Sequence, residues 1–128
     1  MTNAEKIIEF QNVMGLEAPD APTLPTARLL ELRRTLIREE AAEVAEAFEE
    51  LAADPSAETL ANLMHECADL LYVTYGAMVS MGVDADAVFA EIHRANMMKA
   101  SGPRRADGKV LKPDNFVPAD VHGVIFGD

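Results

Sequence analysis

Apolar residues recur every three or four positions along four long stretches of the chain, with polar residues between them. This spacing is typical of amphipathic α-helices, in which residues three or four apart share a face. Capping and breaking residues bound the stretches: Thr26 and Asp84 precede two of them, and Gly15 and Gly82 follow two others. The predicted helices span residues 3–14, 26–53, 55–81 and 84–99.

The two longest predicted helices are separated by a short break at Asp54 and Pro55. Asp54 suits the N-cap of the third helix, and Pro55 suits its first position because the missing N–H would be unpaired there anyway. So short a break favours reversal of the chain and an antiparallel helix hairpin. The pattern therefore predicts an all-α fold, a four-helix protomer built on a long central hairpin.

The third predicted helix is apolar on nearly all of its sides. Leu60, Leu63 and Leu70 mark one side, and Leu71 and Tyr75 mark others. A helix that is hydrophobic all round needs cover on every side, which four helices of one chain cannot easily supply. We therefore expect a homodimer that buries part of this surface. The alternative is a monomer whose C-terminal tail covers the exposed side.

The helical pattern stops after the fourth helix. Three prolines and four glycines fall within residues 101–128, which excludes a long helix there. Asp107 followed by Gly108 is typical of a tight hairpin turn. We expect an extended, non-helical tail over residues 101–128, with room for one small β-hairpin, packed over the bundle of a single domain that spans residues 1–128.

Two pairs of acidic residues interrupt the apolar stripes of the central helices. Glu40 and Glu43 stand three residues apart on the second helix, as Glu66 and Asp69 do on the third. Residues three apart are neighbours on one helix face. Glu43 and Glu66 lie 11 and 12 residues from Asp54, so the two pairs should face one another across an antiparallel hairpin.

Four facing carboxylates repel one another and lose hydration unless a cation or protons neutralise them. Carboxylate oxygens are the ligands that Mg²⁺ and Mn²⁺ prefer. We therefore predict a divalent metal site, with Mg²⁺ as the expected ion and Mn²⁺ as its substitute. The alternative is a solvated face of Glu-rich helices, an interpretation that suits Glu46, Glu49 and Glu50.

The charge of the chain is acidic but unevenly placed. The formal net charge is −11, which argues against nucleic acid or an anionic membrane as a partner. All six basic residues after position 90 lie between Arg94 and Lys112, with Asp107 as the single acid among them. This segment indicates either a small anionic ligand or pairing with the acidic helices.

Further features predict a cytoplasmic protein. The one cysteine, Cys67, excludes an intramolecular disulfide and lies on the apolar side of its helix. The first residues lack the basic start and apolar core of a signal peptide, and no apolar run reaches the ~18 residues of a membrane span. His65 and His93 are interpreted as satisfied, partly buried residues, as lone helical histidines usually are. Neither stands in a Glu-x-x-His pair, which argues against a di-iron carboxylate bundle.

The acidic motif resembles that of a known superfamily. Glu39-Glu40-x-x-Glu43, then 22 residues, then Glu66-x-x-Asp69 is similar to the signature of the all-α nucleoside triphosphate pyrophosphohydrolases. These include the MazG-like proteins, phosphoribosyl-ATP pyrophosphohydrolase and the dimeric dUTPases.

A later part of the chain resembles one subgroup of this superfamily. The stretch Val88–Lys99, followed by Asp107-Gly108-Lys109 and Lys112-Pro113, resembles the short bacterial MazG-like subgroup that hydrolyses dUTP. Together the two parts cover nearly the whole chain. The resemblance implies Mg²⁺-dependent cleavage of a nucleoside triphosphate to the monophosphate and pyrophosphate, by a MazG-like bundle assembled as a dimer.

The resemblance also implies roles for individual acids. The residues that match metal ligands of the family are Glu40, Glu43, Glu66 and Asp69. Glu39 matches an acid beside the attacking water or a further metal, so we take Glu39 and Glu40 as the candidate catalytic residues and Glu39 as an additional candidate ligand.

The candidate substrate-binding residues are polar or basic positions near the end of the chain. Asn96 and Lys99 match family residues that approach the phosphates, although a cation near a helix C-terminus is favourable in any protein. The tail bases Arg104, Lys109 and Lys112 follow on a segment with turn residues, where we expect them to steer and enclose a phosphate ligand.

Two functions follow from these observations. The first is a house-cleaning nucleotide pyrophosphohydrolase, with dUTP as the expected substrate. The second is a metal-bound dimeric helical module that acts by contact with a partner and has no hydrolase activity. Release of pyrophosphate in the presence of Mg²⁺ distinguishes the two.

Overall fold

A computed structural model describes residues 1–127 and is helical, as the sequence predicts. The four predicted helices are present, and each end lies within two residues of its predicted position. Among the described helices, none combines the length and the apolar character needed to span a membrane. In chain order the helices of residues 1–127 are α1 (Asn3–Met14), α2 (Ala27–Ala53), α3 (Ala57–Ser80), α4 (Ala85–Lys99) and α5 (Val121–Phe126).

The backbone contacts group the chain into two compact units, Met1–Gly82 and the part from Val83 onward. The first unit holds α1, α2 and α3, and the second holds α4, the following turn and α5. That the chain forms a single domain over residues 1–128 stays a prediction.

The first unit is built on the predicted antiparallel hairpin of α2 and α3, with α1 packed against α3. Glu50 meets Asn62 close to the turn, at 3.4 Å between Oε2 and Nδ2, whereas Arg33 lies against Gly76 at the far end. The two helices therefore run in opposite directions along their length. The buried apolar side chains of this unit include Ile7, Leu29, Ala47, Leu63 and Val79.

The caps of the hairpin helices are partly those predicted. Thr26 is the N-cap of α2, and its hydroxyl accepts a hydrogen bond from the Leu29 N–H at 3.1 Å, which confirms that prediction. The start of α3 differs, since Ser56 rather than Asp54 is its N-cap and Pro55 precedes the helix. Ser56 and Thr59 form a reciprocal capping box that satisfies two backbone donors at once.

The second unit corrects the predicted non-helical tail, because residues 121–126 form the short helix α5. Six residues are too few to be helical alone, and α5 depends on its surroundings. The Asp120 carboxylate caps it by accepting from the Gly123 N–H at 2.9 Å. Glu91 of α4 in turn accepts from the Asp120 N–H at 2.8 Å and thereby ties α5 to α4.

The expected tight turn lies between α4 and α5. Gly108 has a φ of +91°, which favours glycine, and the Arg105 N–H donates to the Lys109 carbonyl at 2.7 Å. Within residues 1–127 the β structure here is an isolated antiparallel bridge between Arg104 and Val110. The turn is thus present, with a bridge in place of a longer hairpin.

Candidate metal centre

Three carboxyl groups meet halfway along the hairpin of α2 and α3. Glu40, Glu43 and Glu66 each offer one oxygen, and these oxygens lie within 4.8 Å of one another. Glu40 and Glu66 are half-buried, and Glu43 is exposed. We call these three residues the acid group. They belong to two helices, so three of the four carboxylates that were predicted to face one another across the hairpin come together here.

A second group shares one residue with the first. His65, Glu66 and Asp69 also place one potential ligand atom each within 4.8 Å of one another, and we call them the histidine group. His65 Nε2 lies 3.1 Å from Asp69 Oδ2, one helical turn away on α3. Glu66 therefore belongs to both groups, and Asp69 is brought to the site together with a histidine.

The crowding of acids changes their proton affinity. The pKa of Glu40 is raised, first by burial and then by repulsion from Glu43, Asp69 and Glu39 and by a side-chain contact with Glu43. The pKa of Glu66 is also raised, first by hydrogen bonding to Glu43 and then by burial and by repulsion from Glu43 and Asp69, while His65 acts in the opposite direction. Without a cation, the cluster therefore holds protons more tightly than free carboxylates do.

Two carboxylate oxygens of the acid group indicate whether the site suits a metal ion. Glu40 Oε2 and Glu66 Oε2 are closed off from solvent and have no hydrogen-bond partner among the described residues. A buried carboxylate oxygen without a donor is unfavourable, and a cation is the partner that relieves it. Carboxylate oxygens on two helices are also the donors that a hard divalent ion takes. The residues present therefore fit a divalent cation.

Glu39 occupies a different position from the acids around it. It is exposed and stands outside both ligand groups found among the described residues. Its charge is nevertheless close enough to contribute to the raised pKa of Glu40. Glu39 thus lies beside the cluster with a solvent-accessible carboxylate.

The predicted substrate-binding residues all belong to the second unit. Asn96 is exposed on α4, and its carbonyl accepts from the Ala100 N–H at 3.1 Å. Lys99 ends α4 with its Nζ 5.6 Å from the centre of the Phe116 ring, and Lys112 Nζ lies 5.4 Å from the same centre. The ring therefore holds two cations by cation–π attraction.

The remaining tail bases lie at the turn. Arg104 forms the isolated bridge with Val110, and Lys109 follows Gly108 with its N–H donating to Asp107 Oδ1 at 3.1 Å. Arg105 forms a bidentate pair with Asp107. The exposed side chains of Arg104 and Lys109 are thus presented at a tight turn.

Sequence reasoning missed a buried cation in the first unit. Arg33 is 6% exposed, and its Nη2 donates to Gln11 Oε1 at 3.0 Å, with Gln11 itself 2% exposed. Burial lowers the pKa of Arg33, against which the charge of Glu17 acts. The sequence does contain a signal for the contact with Gly76. In an antiparallel hairpin, residues at equal distances from the turn face one another, and Arg33 and Gly76 are centred on the same point of the sequence as Glu43 and Glu66.

Comparison with known families adds one match. A family model described as phosphoribosyl-ATP pyrophosphohydrolase matches residues 7–96. The matched range runs from α1 into α4 and contains the whole acid group and the whole histidine group. It ends before Lys99 and the tail bases. No curated protein matches the chain.

Proposed function

Because the chain belongs to the phosphoribosyl-ATP pyrophosphohydrolase family, we propose that it hydrolyses a nucleoside triphosphate to the monophosphate and pyrophosphate. The family is part of the all-α MazG-like superfamily and acts on a nucleotide as a pyrophosphohydrolase. The observation that carries the proposal is the acid group, whose facing carboxylates include two buried oxygens without a donor.

We propose Mg²⁺ as the resident ion, with Mn²⁺ as a substitute, held by Glu40, Glu43, Glu66 and Asp69. When bound, a divalent cation neutralises phosphate oxygens and acidifies a water molecule in contact with it. A triphosphate carries about four negative charges, so a site made of acids needs such neutralisation before it can accept this substrate. Besides burial of Glu40 and hydrogen bonding of Glu66 to Glu43, repulsion among the acids raises the pKa of both residues, and the charge of the cation would remove that repulsion.

The proton of the attacking water passes, in our proposal, to Glu39. This carboxylate is exposed and lies outside both ligand groups among the described residues, so it is free to act as a base while Glu40 binds the metal. The water oxygen bonds to phosphorus, and the bond between that phosphorus and the pyrophosphate oxygen breaks. Asn96 and Lys99 bind the phosphates, with Lys99 offering a point charge to the leaving pyrophosphate.

The proposed substrate is dUTP. Support comes from the resemblance of Val88–Lys99 and the following turn to the dUTP-hydrolysing subgroup. A second candidate, phosphoribosyl-ATP, is favoured by the description of the family that matches. Both substrates would release pyrophosphate, so the reaction type does not depend on the choice between them.

A panel of nucleotides tests the proposal and its substrate. dUTP, the other dNTPs, the NTPs and phosphoribosyl-ATP are each incubated with the protein and Mg²⁺, and pyrophosphate is measured. We expect release from dUTP in the highest yield, and none with a chelator present. Phosphoribosyl-ATP as the preferred substrate would replace the dUTP assignment. Absence of pyrophosphate from every member would favour the interaction module.

We further propose that the protein is a homodimer. Large apolar side chains on α2 and α3 remain exposed, among them Phe48 at 57%, Leu71 at 56% and Met64 at 52%. So much apolar surface on a central hairpin favours burial against a second copy. Light scattering at micromolar concentration should give twice the mass of the chain, and Leu71→Glu should lower it. A monomeric mass for the unmodified protein would contradict the dimer.

A further inference from the structure

His65 stands at the metal centre although it is not part of the acidic motif. Its Nε2 lies 3.1 Å from Asp69 Oδ2, and its ring nitrogen, a Glu66 oxygen and an Asp69 oxygen all fall within 4.8 Å of one another. The side chains of His65 and Asp69 are 69% and 45% exposed, so both can adjust their rotamers when an ion enters.

The separation of these two atoms suits joint coordination. Two ligands placed at right angles, each about 2.1 Å from an octahedral ion, are about 3.0 Å apart. The observed separation of 3.1 Å between nitrogen and oxygen is close to that edge. The same separation also suits a direct hydrogen bond from imidazole to carboxylate, so the geometry permits two roles for His65.

We propose that His65 is a nitrogen ligand to a divalent cation shared with Glu66 and Asp69, and that it makes this position prefer Mn²⁺ or Co²⁺ to Mg²⁺. The inference rests on the metal-dependent function proposed above, in which Mg²⁺ supports turnover, and adds one further ligand and the order in which the ions bind at this position. Oxygen donors suit Mg²⁺, whereas an imidazole nitrogen suits the transition ions. The acid group alone, which offers oxygens only, gives no such preference.

Coordination requires a change of proton position on the ring. In the hydrogen-bonded arrangement Nε2 carries the proton that faces Asp69 Oδ2. In a metal-bound arrangement the Nε2 lone pair would face the ion, and Nδ1 would carry the proton of the neutral ring. The Nε2 proton would pass to solvent and Nδ1 would take one from solvent, so the ring would stay neutral. No oxidation or reduction is involved.

Glutamine at position 65 separates the two roles. A glutamine side chain can still donate a hydrogen bond to Asp69, but it removes the imidazole nitrogen. It is also at least as favourable as histidine within a helix, so His65→Gln should fold. His93→Gln is the matched control, because His93 lies on α4 and is outside both ligand groups found in residues 1–127.

The test is pulsed electron paramagnetic resonance of the full chain with Mn²⁺ bound. We expect electron spin echo modulation from a directly coordinated nitrogen in the unmodified protein and in His93→Gln, and its loss in His65→Gln. Titration calorimetry should show about tenfold or greater loss of Mn²⁺ affinity in His65→Gln and less than about threefold loss of Mg²⁺ affinity. Thermal unfolding confirms that each variant is folded.

The outcomes separate this inference from the proposed function. Absence of nitrogen modulation in a protein that binds Mn²⁺ would overturn the role of His65, as would equal losses of Mn²⁺ and Mg²⁺ affinity in His65→Gln. Pyrophosphate release with Mg²⁺ would persist in that case, and the proposed function would stand. Nitrogen modulation in a protein that releases no pyrophosphate from any nucleotide would support the ligand and contradict the function. Failure to bind either ion would overturn both.

Discussion

The guanidinium group of Arg33 fills the space beside Gly76, where Nη1 lies 2.8 Å from the position that a Cβ on residue 76 would take. Gln11 Oε1 lies 3.1 Å from the same position and accepts a hydrogen bond from Arg33. One residue from each of α1, α2 and α3 therefore meets at this point. Arg33 and Gly76 are centred on the same point of the sequence as Glu43 and Glu66, so this contact belongs to the same helix register as the facing acids.

Gly76→Ala should therefore destabilise the fold. Alanine favours a helix by up to about 1 kcal/mol over glycine, but the displacement of Arg33 should cost about 1–3 kcal/mol. Chemical denaturation measures the difference. In an Arg33→Met background, where the guanidinium is absent, the same substitution should be neutral or stabilising. An equal cost of Gly76→Ala in both backgrounds would show that the contact with Arg33 is not its cause.

Glu40→Gln should stabilise the metal-free protein while abolishing turnover. The substitution removes one charge from a cluster in which burial, and then repulsion from the neighbouring acids, raise the pKa of Glu40. We expect a higher Tm than that of the unmodified protein in chelator and a smaller rise of Tm on addition of Mg²⁺. Glu46 is an exposed acid on the same helix. The control Glu46→Gln should change neither the Tm in chelator nor the rise of Tm on addition of Mg²⁺. Near-normal kcat/KM in Glu40→Gln would remove Glu40 from the metal centre.

The hairpin and the facing acids could be predicted because they depend on local signals. Helical spacing, the Thr26 cap and the short break near Asp54 are all read within a few residues. The register of the acids follows from counting outward from that break. Asp54 and Ser56 are both good N-caps, however, and only the pairing of Ser56 with Thr59 decides between them.

The other features depend on contacts that are distant in sequence. On α2, the apolar Leu32 is 47% exposed, whereas the charged Arg33 beside it is buried. A charged residue is rarely assigned to a core, and only its partners Gln11 and Gly76 explain it. Similarly, α5 exists because Glu91, 29 residues before Asp120, accepts from its backbone.

The Glu91 contact makes the attachment of α5 dependent on pH. The pKa of Glu91 is lowered from 4.5 to about 2 by hydrogen bonding to Arg94 and then to the Asp120 N–H. Because the folded pKa is the lower one, the stabilisation is present above pH 4.5 and is lost as pH falls toward 2. The protection of the α5 amides, taken as the ratio of the intrinsic exchange rate at each pH to the observed rate, should therefore decrease across this range.

Glu91→Gln separates this contribution from that of the Asp120 cap. In the variant, the α5 amides should be less protected near pH 5 than in the unmodified protein, and their protection relative to the intrinsic exchange rate should depend less on pH below that value. Identical pH dependence in the two proteins would show that the Glu91 carboxylate does not hold α5.

Lys99→Ala should lower kcat/KM by the equivalent of about 2–4 kcal/mol, as for loss of a charged contact to the phosphates. Arg104→Ala should cost less, and its effect should shrink as salt is raised, because an exposed charge acts by screened attraction. Lys6→Ala on α1 controls for the loss of any surface cation. Steady-state kinetics at two salt concentrations gives kcat/KM for all three variants. Equal, salt-insensitive costs for Lys99→Ala and Arg104→Ala would contradict the division of roles.

The identity of the products shows whether the protein cleaves dUTP as a pyrophosphohydrolase. Phosphorus NMR of a dUTP reaction with Mg²⁺ distinguishes pyrophosphate and dUMP from phosphate and dUDP. The variant to compare is Glu66→Gln, which removes the carboxylate that both ligand groups share. We expect dUMP and pyrophosphate from the unmodified protein, and unchanged dUTP from a folded Glu66→Gln variant. Formation of dUDP and phosphate, or undiminished turnover by Glu66→Gln, would contradict this expectation.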